Sequence, residues 1–259
     1  MIEIVIPLNT NPLLNSVDNK PALSVLVPIY NEADNITPLI SEIRAALDGK
    51  VVYELIYVDD GGTDDSWHKL QQVAQNFAAL RIIRHQSSYG QSTAIITGVK
   101  LARAEWIVTL DGDGQNDPAD IPHLLATLQN SPNLPRLQMV AGLRRKRQDN
   151  WPKRMASRIA NWIRNRLLHD NISDTGCSLK LFSRPAFLAL PHFNHIHRFL
   201  PALFLRGGGQ IISVEVNHRP RQCGESKYGI FDRLGVGIFD LLGVMWLQRR
   251  AVNAEIIEK

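Results

Sequence analysis

An α/β domain with a mostly parallel sheet flanked by helices is what this sequence predicts, and three observations predict it. Apolar, β-prone runs alternate with segments of helical length from residue 21 onward, a pattern that argues for parallel strands covered on both faces. Three of the strand runs break off in polar clusters, Tyr30-Asn31-Glu32, Asp59-Asp60 and Asp111-Gly112-Asp113. Equivalent ends of parallel strands form the rim where open sheets bind ligands. A chain of 259 residues, 44% of them hydrophobic, is enough for one such core with appendages.

Residues 1–20 are rich in Asn and Pro without a lasting period and read as an extension. Leu23 to Val27 is a buried-strand pattern stopped by Pro28-Ile29-Tyr30-Asn31-Glu32, and Asp34 or Asn35 is placed to cap a helix to about Leu47. Val51 to Val58 predicts a second strand and Ser66 to Phe77 a helix. Arg81 to Arg84 predicts a third strand and Gly90 to Ala102 a helix. The run 105–110 is the central strand. A helix follows Pro118, then a strand over about Leu137 to Ala141. Asp174 to Phe182 reads as a loop entering another strand. His195, His197 and Arg198 stand at the start of an apolar helix, where a surface or capping role competes with a catalytic one. A strand is predicted over about Gln210 to Asn217.

The central strand carries the chemistry. Alternate residues of an extended chain point the same way, so Asp111 and Asp113 aim at one point beyond the strand end. An isolated Asp-Gly-Asp is most simply a polar turn. Beside two more polar strand ends it reads as a site, and two converging carboxylates suit a hard divalent cation, magnesium or manganese, with substrate phosphates completing its shell.

Net charge is +4, but the basic residues are uneven. Between Arg144 and Arg166 nine Lys and Arg residues face only Asp149, with Trp151 and Trp162 among them. Some must be plain solvated charges. Others neighbour the proposed phosphate site and suit anion binding. A nucleic-acid surface is excluded as the main reading, since three acidic strand ends would repel a phosphate backbone. The loop Arg219 to Tyr228 is basic and glycine-hinged, able to close over an anion. Gly229 to Leu247 is apolar, with Phe231, Phe239 and Trp246, yet interrupted by Asp232, Arg233 and Asp240. It is too short and too charged to span a bilayer, so an interfacial helix or a helix packed on its own domain remain the two readings. No signal peptide or membrane-spanning run is evident, and the two cysteines have no metal or disulfide spacing.

Pro28-x-Tyr30-Asn31-Glu32, Val58-Asp59-Asp60-Gly61, Asp111-x-Asp113-x-Gln115, Gly142-x-Arg144 and Arg221-x-x-Gly224-Glu225-Ser226-Lys227 occur in that order. Together they resemble the family 2 glycosyltransferases of GT-A (Rossmann-like) fold. The resemblance is closest to the polyprenyl-phosphate branch, dolichol-phosphate mannosyltransferase and bacterial undecaprenyl-phosphate transferases. Asp174-x-Gly176-Cys177 is more similar to bacterial enzymes that place a modified arabinose on undecaprenyl phosphate than to the mannosyl enzymes. Gly62 departs from the pattern, standing where the family usually has Ser. Many bacterial members also carry two C-terminal membrane-spanning helices, for which no run here is long enough. Three regions follow: an extension, 1–20; a GT-A domain, 21–228; and an amphipathic, membrane-interfacial segment, 229–259.

The resemblance implies roles. Pro28, Tyr30, Glu32, Val58 and Asp60 would hold the base and ribose of a nucleotide-sugar donor, GDP- or UDP-linked. Asp111, Gly112 and Asp113 would contact the sugar nucleotide, and Asp111, Asp113 and Gln115 would ligate the metal. Arg144 would bind donor or acceptor phosphate, while Arg221 and Lys227 would close over the diphosphate. Arg144, Lys153, Arg154 and Ser157, on the basic run, are the candidates for the acceptor phosphate. The expected reaction is inverting, metal-dependent transfer to a polyprenyl phosphate. That nucleophile is already ionised, so no strong general base is needed, and Asp174 is the one carboxylate in reach. An alternative is a family 2 transferase that needs a base to deprotonate a hydroxyl of a polysaccharide or glycolipid. The expected setting is the cytoplasmic face of a membrane, touched peripherally or through a separate membrane protein.

Overall fold

The computed structural model describes residues 20–144, 164–168, 170, 172, 174–220 and 230–250. Arg221, Lys227, Lys153, Arg154 and Ser157 lie outside the described residues. Seven strands form one sheet: β1 (Leu23–Ile29), β2 (Tyr53–Asp59), β3 (Leu80–Arg84), β4 (Trp106–Thr109), β5 (Leu137–Arg144), β6 (Lys180–Ser183) and β7 (Gln210–Val216). The helices are α1 (Ala33–Leu47), α2 (Ser66–Ala74), α3 (Gln91–Leu101), α4 (Ile121–Gln129), α5 (Arg184–Leu188), α6 (Leu200–Arg206) and α7 (Ile230–Arg249).

Strand order is β3-β2-β1-β4-β6-β5-β7. All neighbours are parallel except β6, which runs antiparallel to both β4 and β5. The chain builds outward from β1 through β2 to β3, then returns to set β4 on the other side of β1. The loops leaving β1 and β4 therefore diverge, which opens a crevice at the carboxyl ends of the strands.

Every residue of β1 is buried, as expected of a central strand covered on both faces. Its alternation divides two cores. Leu23, Val25 and Val27 pack with Ile36, Leu39 and Ile43 of α1 and with Leu124 and Leu128 of α4. Leu26 faces the opposite side with Ala94 and Val99 of α3, Phe182, Phe187, Leu203 and Phe204. Burying a side chain of this size contributes about 1.5–3 kcal/mol, so both layers hold the crevice rim rigid.

Several sequence expectations shift in place. Glu32, not Asp34 or Asn35, occupies the N-cap of α1. Its carboxylate accepts a hydrogen bond from Asn35 Nδ2 at 2.8 Å instead of capping a backbone amide. The strand expected to stop near Ala141 runs on to Arg144, because β7 pairs with it through Val216. His195 and His197 do not open a helix. His195 has φ +64° and precedes a 3-10 turn, Ile196–Arg198, that leads into α6. The tail packs on its own domain in part: Val244 of α7 is buried, with Leu241, Met245 and Leu247 against the core, while Ile238, Phe239, Leu242 and Trp246 are exposed.

Candidate active site

The rim is assembled by side chains that tie one strand end to the next. Asn31, at the end of β1, adopts φ +56°. Its Oδ1 accepts from the backbone amide of Thr63 at 2.7 Å, joining the loop after β1 to that after β2. Gly61, at φ +71°, passes so close to the next loop that a Cβ would lie 2.5 Å from the Ser87 carbonyl carbon, so glycine is required there. At Gly62 a Cβ would meet Asp59 Oδ1 at 2.8 Å and Asn31 Oδ1 at 3.0 Å. The departure from Ser thus fits a tighter turn in which Gly62 N donates to Asp59 Oδ1 at 2.9 Å.

Asp60 holds the loop after β3. Its carboxylate pairs with His85 Nδ1 at 2.7 Å and accepts from Ser88 Oγ (2.8 Å), Tyr89 N (3.0 Å) and Gly90 N (2.7 Å). Burial works to raise this carboxyl, but the hydrogen bonds outweigh it and hold the pKa below the usual range. Among the other residues assigned to the nucleotide, Tyr30 is 38% exposed and faces the crevice rim, whereas Val58 is fully buried inside β2. Pro28 lines a small cleft with Asp111.

Asp111 leaves β4 directly into the crevice. Its Oδ1 accepts from Gln91 Nε2 at 2.8 Å, and its Oδ2 accepts from Ser178 Oγ. Asp113 is 6% exposed, and its Oδ1 accepts from Gln115 N at 3.1 Å. Gly112 lets this loop lie on β1: a Cβ there would be 2.5 Å from Ile29 Cγ2. Burial, and next the Asp113 charge, push the Asp111 carboxyl above its usual range. A carboxylate pushed up by a neighbouring carboxylate fits a hard divalent cation, which removes the repulsion. Among the described residues no cluster of three or more His, Cys, Asp or Glu groups forms a complete metal cage. Asp111 and Asp113 would therefore hold such an ion in part, leaving places for substrate oxygens, water and the partly exposed Gln115.

On the far side of the crevice the motifs marked Arg144 and Asp174 but not their pairing. Arg144 makes a bidentate pair with Asp174, Nε to Oδ2 at 2.7 Å and Nη2 to Oδ1 at 2.6 Å. Asp174 is 5% exposed. The segment after β7 is stitched to the Asp111–Gln115 loop by an Asn116–His218 bridge and by Arg219 N donating to Gln115 O at 3.0 Å. The Arg219 guanidinium is bidentate to Glu42, at 3.1 and 2.7 Å. The chain thus reaches the Asp111–Gln115 loop two residues before Arg221. Gln91, Ser178 and Lys180 had no motif to mark them, because each joins the site through a contact distant in sequence.

The family description "Glycosyl transferase family 2" matches residues 24–190. The chain is 36% identical over 236 residues to the dodecaprenyl-phosphate galacturonate synthase of Rhizobium johnstonii, covering 88% of this chain and 67% of that protein. It is 33% identical over 223 residues to the undecaprenyl-phosphate 4-deoxy-4-formamido-L-arabinose transferase of Edwardsiella ictaluri, covering 85% and 66%. The chain spans about two thirds of the length of these relatives. Glucosyl-3-phosphoglycerate synthase of Mycobacterium tuberculosis, solved with Mn2+, UDP and its product, has the same GT-A-like fold at TM-score 0.65 and 19% identity, covering 90% of this chain and 82% of that one. A mannosyltransferase of Pyrobaculum calidifontis, solved with GDP-Man and Mn2+, matches at TM-score 0.61 and 18% identity, covering 91% and 66%. With the family pattern matched over most of the sheet and relatives about a third identical along most of the chain, this protein belongs to glycosyl transferase family 2.

Proposed function

We propose that the chain transfers a sugar from a nucleoside diphosphate sugar to the phosphate of a polyprenyl phosphate carrier, inverting the anomeric centre. The acceptor follows from the relatives, which are named for polyprenyl-phosphate acceptors. The observation that favours it over a hydroxyl acceptor is the state of Asp174. A hydroxyl nucleophile needs a general base, and the carboxylate in reach of that role is engaged on both oxygens by Arg144. A phosphate oxygen is ionised at neutral pH and needs none.

The loops after β1 and β2, locked together through Asn31, would form the base and ribose wall, with Tyr30 exposed on it. Asp60 would shape that wall through the 85–90 loop. Asp111 and Asp113 would hold a magnesium or manganese ion, which supplies neutralisation of the charge developing on the leaving diphosphate. Gln91 and Ser178 keep the Asp111 carboxylate aimed. Arg221 and Lys227 are assigned the closing of the diphosphate, and Lys153, Arg154 and Ser157, with the basic run, the acceptor phosphate. Calorimetric titration with UDP and with GDP, each with and without manganese, tests the reading. Metal-dependent binding of one nucleotide is expected, and binding of neither would remove it.

A lipid acceptor presents its phosphate at a bilayer surface. Ile238, Phe239, Leu242 and Trp246 are 54%, 78%, 54% and 61% exposed along one face of α7, and Arg249 and Arg250 follow. Among the described residues no helix is long and apolar enough to cross a membrane. This stripe reads as a peripheral contact on the cytoplasmic face, with aromatics at headgroup depth and arginines on anionic lipid. Phe239→Ser with Trp246→Ser is expected to weaken sedimentation with phosphatidylglycerol vesicles about tenfold or more, from the apolar area lost. Undiminished binding would move the contact to the 144–166 run.

A further inference from the structure

Lys180 begins β6 beside Thr109 of β4, at the root of the Asp111 loop. It is 5% exposed. Its ammonium donates to the backbone carbonyls of Cys177 and, at 3.2 Å, of Thr175. Both are neutral acceptors, and among the described residues no carboxylate forms an ion pair with it. Burial pulls its pKa below the usual lysine range; Cys177, Asp111 and Asp174 act against that shift and Arg144 adds to it. A buried ammonium without a direct counter-ion is costly, and the turn it bridges could be tied by a neutral donor. The lysine also lines a small cavity of about 20 Å³ with Gln91, Asp111, Ser178, His197 and Leu200, room for one water-sized group. His197 is neutral there: burial, then the neighbouring positive charges, push its pKa down to about 3. One of its nitrogens, Nδ1, is engaged by Ser92 Oγ at 2.7 Å.

We propose that Lys180 is the counter-ion for an anionic oxygen of the bound substrates, at a subsite behind Asp111 that this cavity forms. The inference rests on the reading of the crevice as a sugar-nucleotide site. Two substrate groups carry such an oxygen: a carboxylate on the donor sugar, or the phosphate of the lipid acceptor. The lysine shares its cavity with Asp111 and is acted on by the charge of Asp174 as well.

The test compares wild type with Lys180→Met and Lys180→Arg by calorimetry in manganese. The first arm uses the nucleotide alone. The second compares UDP-galactose with UDP-galacturonate, or GDP-mannose with GDP-mannuronate if the guanine nucleotide binds. The third uses undecaprenyl phosphate in detergent micelles. Lys180→Met is expected to bind nucleotide as wild type does and to lose about tenfold or more on one anionic probe, as removal of a charge-assisted contact does, with Lys180→Arg restoring it. Loss confined to the uronate identifies the sugar carboxylate, and loss confined to the lipid phosphate identifies the acceptor. Wild-type affinity of Lys180→Met for both anionic probes would overturn the proposal and leave the cavity to a water. Equal loss of the bare nucleotide would overturn it too, showing a lysine that only ties the 174–178 turn. If the Met variant does not fold, Lys180→Gln carries the comparison, and unfolding of every neutral variant refutes the proposal. A wild type that binds lipid phosphate through Lys180 but no nucleotide would sink the donor reading and leave this site standing.

Discussion

Asp113→Asn is expected to lower turnover by about two to three orders of magnitude, roughly 3–4 kcal/mol of transition-state stabilisation, while the metal-free protein melts no lower than wild type. Asparagine keeps the oxygen that accepts from Gln115 N, so the loop retains its turn. The lost charge is one of the two that would hold the metal ion, whose positive charge would neutralise the leaving diphosphate. It is also the charge that, after burial, pushes Asp111 upward. A carboxyl whose pKa is raised in the fold supplies stability at low pH that is lost as pH rises through the raised value. Without metal, the wild-type melting temperature should therefore carry a falling component above the usual carboxylate range, and that component should shrink in Asp113→Asn. Manganese titration of steady-state rates, set beside melts across pH, checks both halves. Full activity would remove the metal assignment, whereas a large drop in melting temperature would make Asp113 a structural residue.

Arg144→Met is expected to destabilise the protein by about 3–5 kcal/mol, as happens when one partner of a buried ion pair is removed. Asp174 is 5% exposed and takes two guanidinium hydrogen bonds as well as the Arg144 backbone amide at 3.2 Å. Without the guanidinium a buried carboxylate is left largely uncompensated. Replacing both residues, Arg144→Met with Asp174→Leu, should recover most of that loss, since an apolar pair of similar volume carries no desolvation cost. Urea denaturation of the two single variants and the double gives the coupling directly. Turnover of the double variant should stay low even when its stability returns, because the cation proposed to bind donor or acceptor phosphate would be gone. A double variant with both stability and activity restored would confine the pair to a structural role.

Much of the architecture was legible locally. The buried strands wrote themselves as continuous apolar runs, and the helices between them as longer amphipathic ones, because burial on two faces or one leaves a periodic trace in a few neighbouring residues. The polar endings after Ile29, Asp59 and Leu110 marked the rim for the same reason: a buried strand tolerates such groups only where it emerges. Asp111 and Asp113 were expected to converge by alternation along the strand, but β4 ends at Thr109 and the turn after it, not the strand, brings them near each other.

What joins those pieces was not legible. Gln91 and Ser178 grip Asp111 from 20 and 67 residues away, and Arg144 meets Asp174 across 30. These contacts exist because β6 inserts antiparallel between β4 and β5, a choice no local period encodes. The sequence by itself determined an α/β sheet with an acidic rim, since those properties follow from the burial and charge of adjacent residues. Only the tertiary structure decided that Asp174 is bound to Arg144, that Asp60 anchors the 85–90 loop and that Lys180 is buried beside Asp111, because strand order sets which distant side chains share one low-dielectric space.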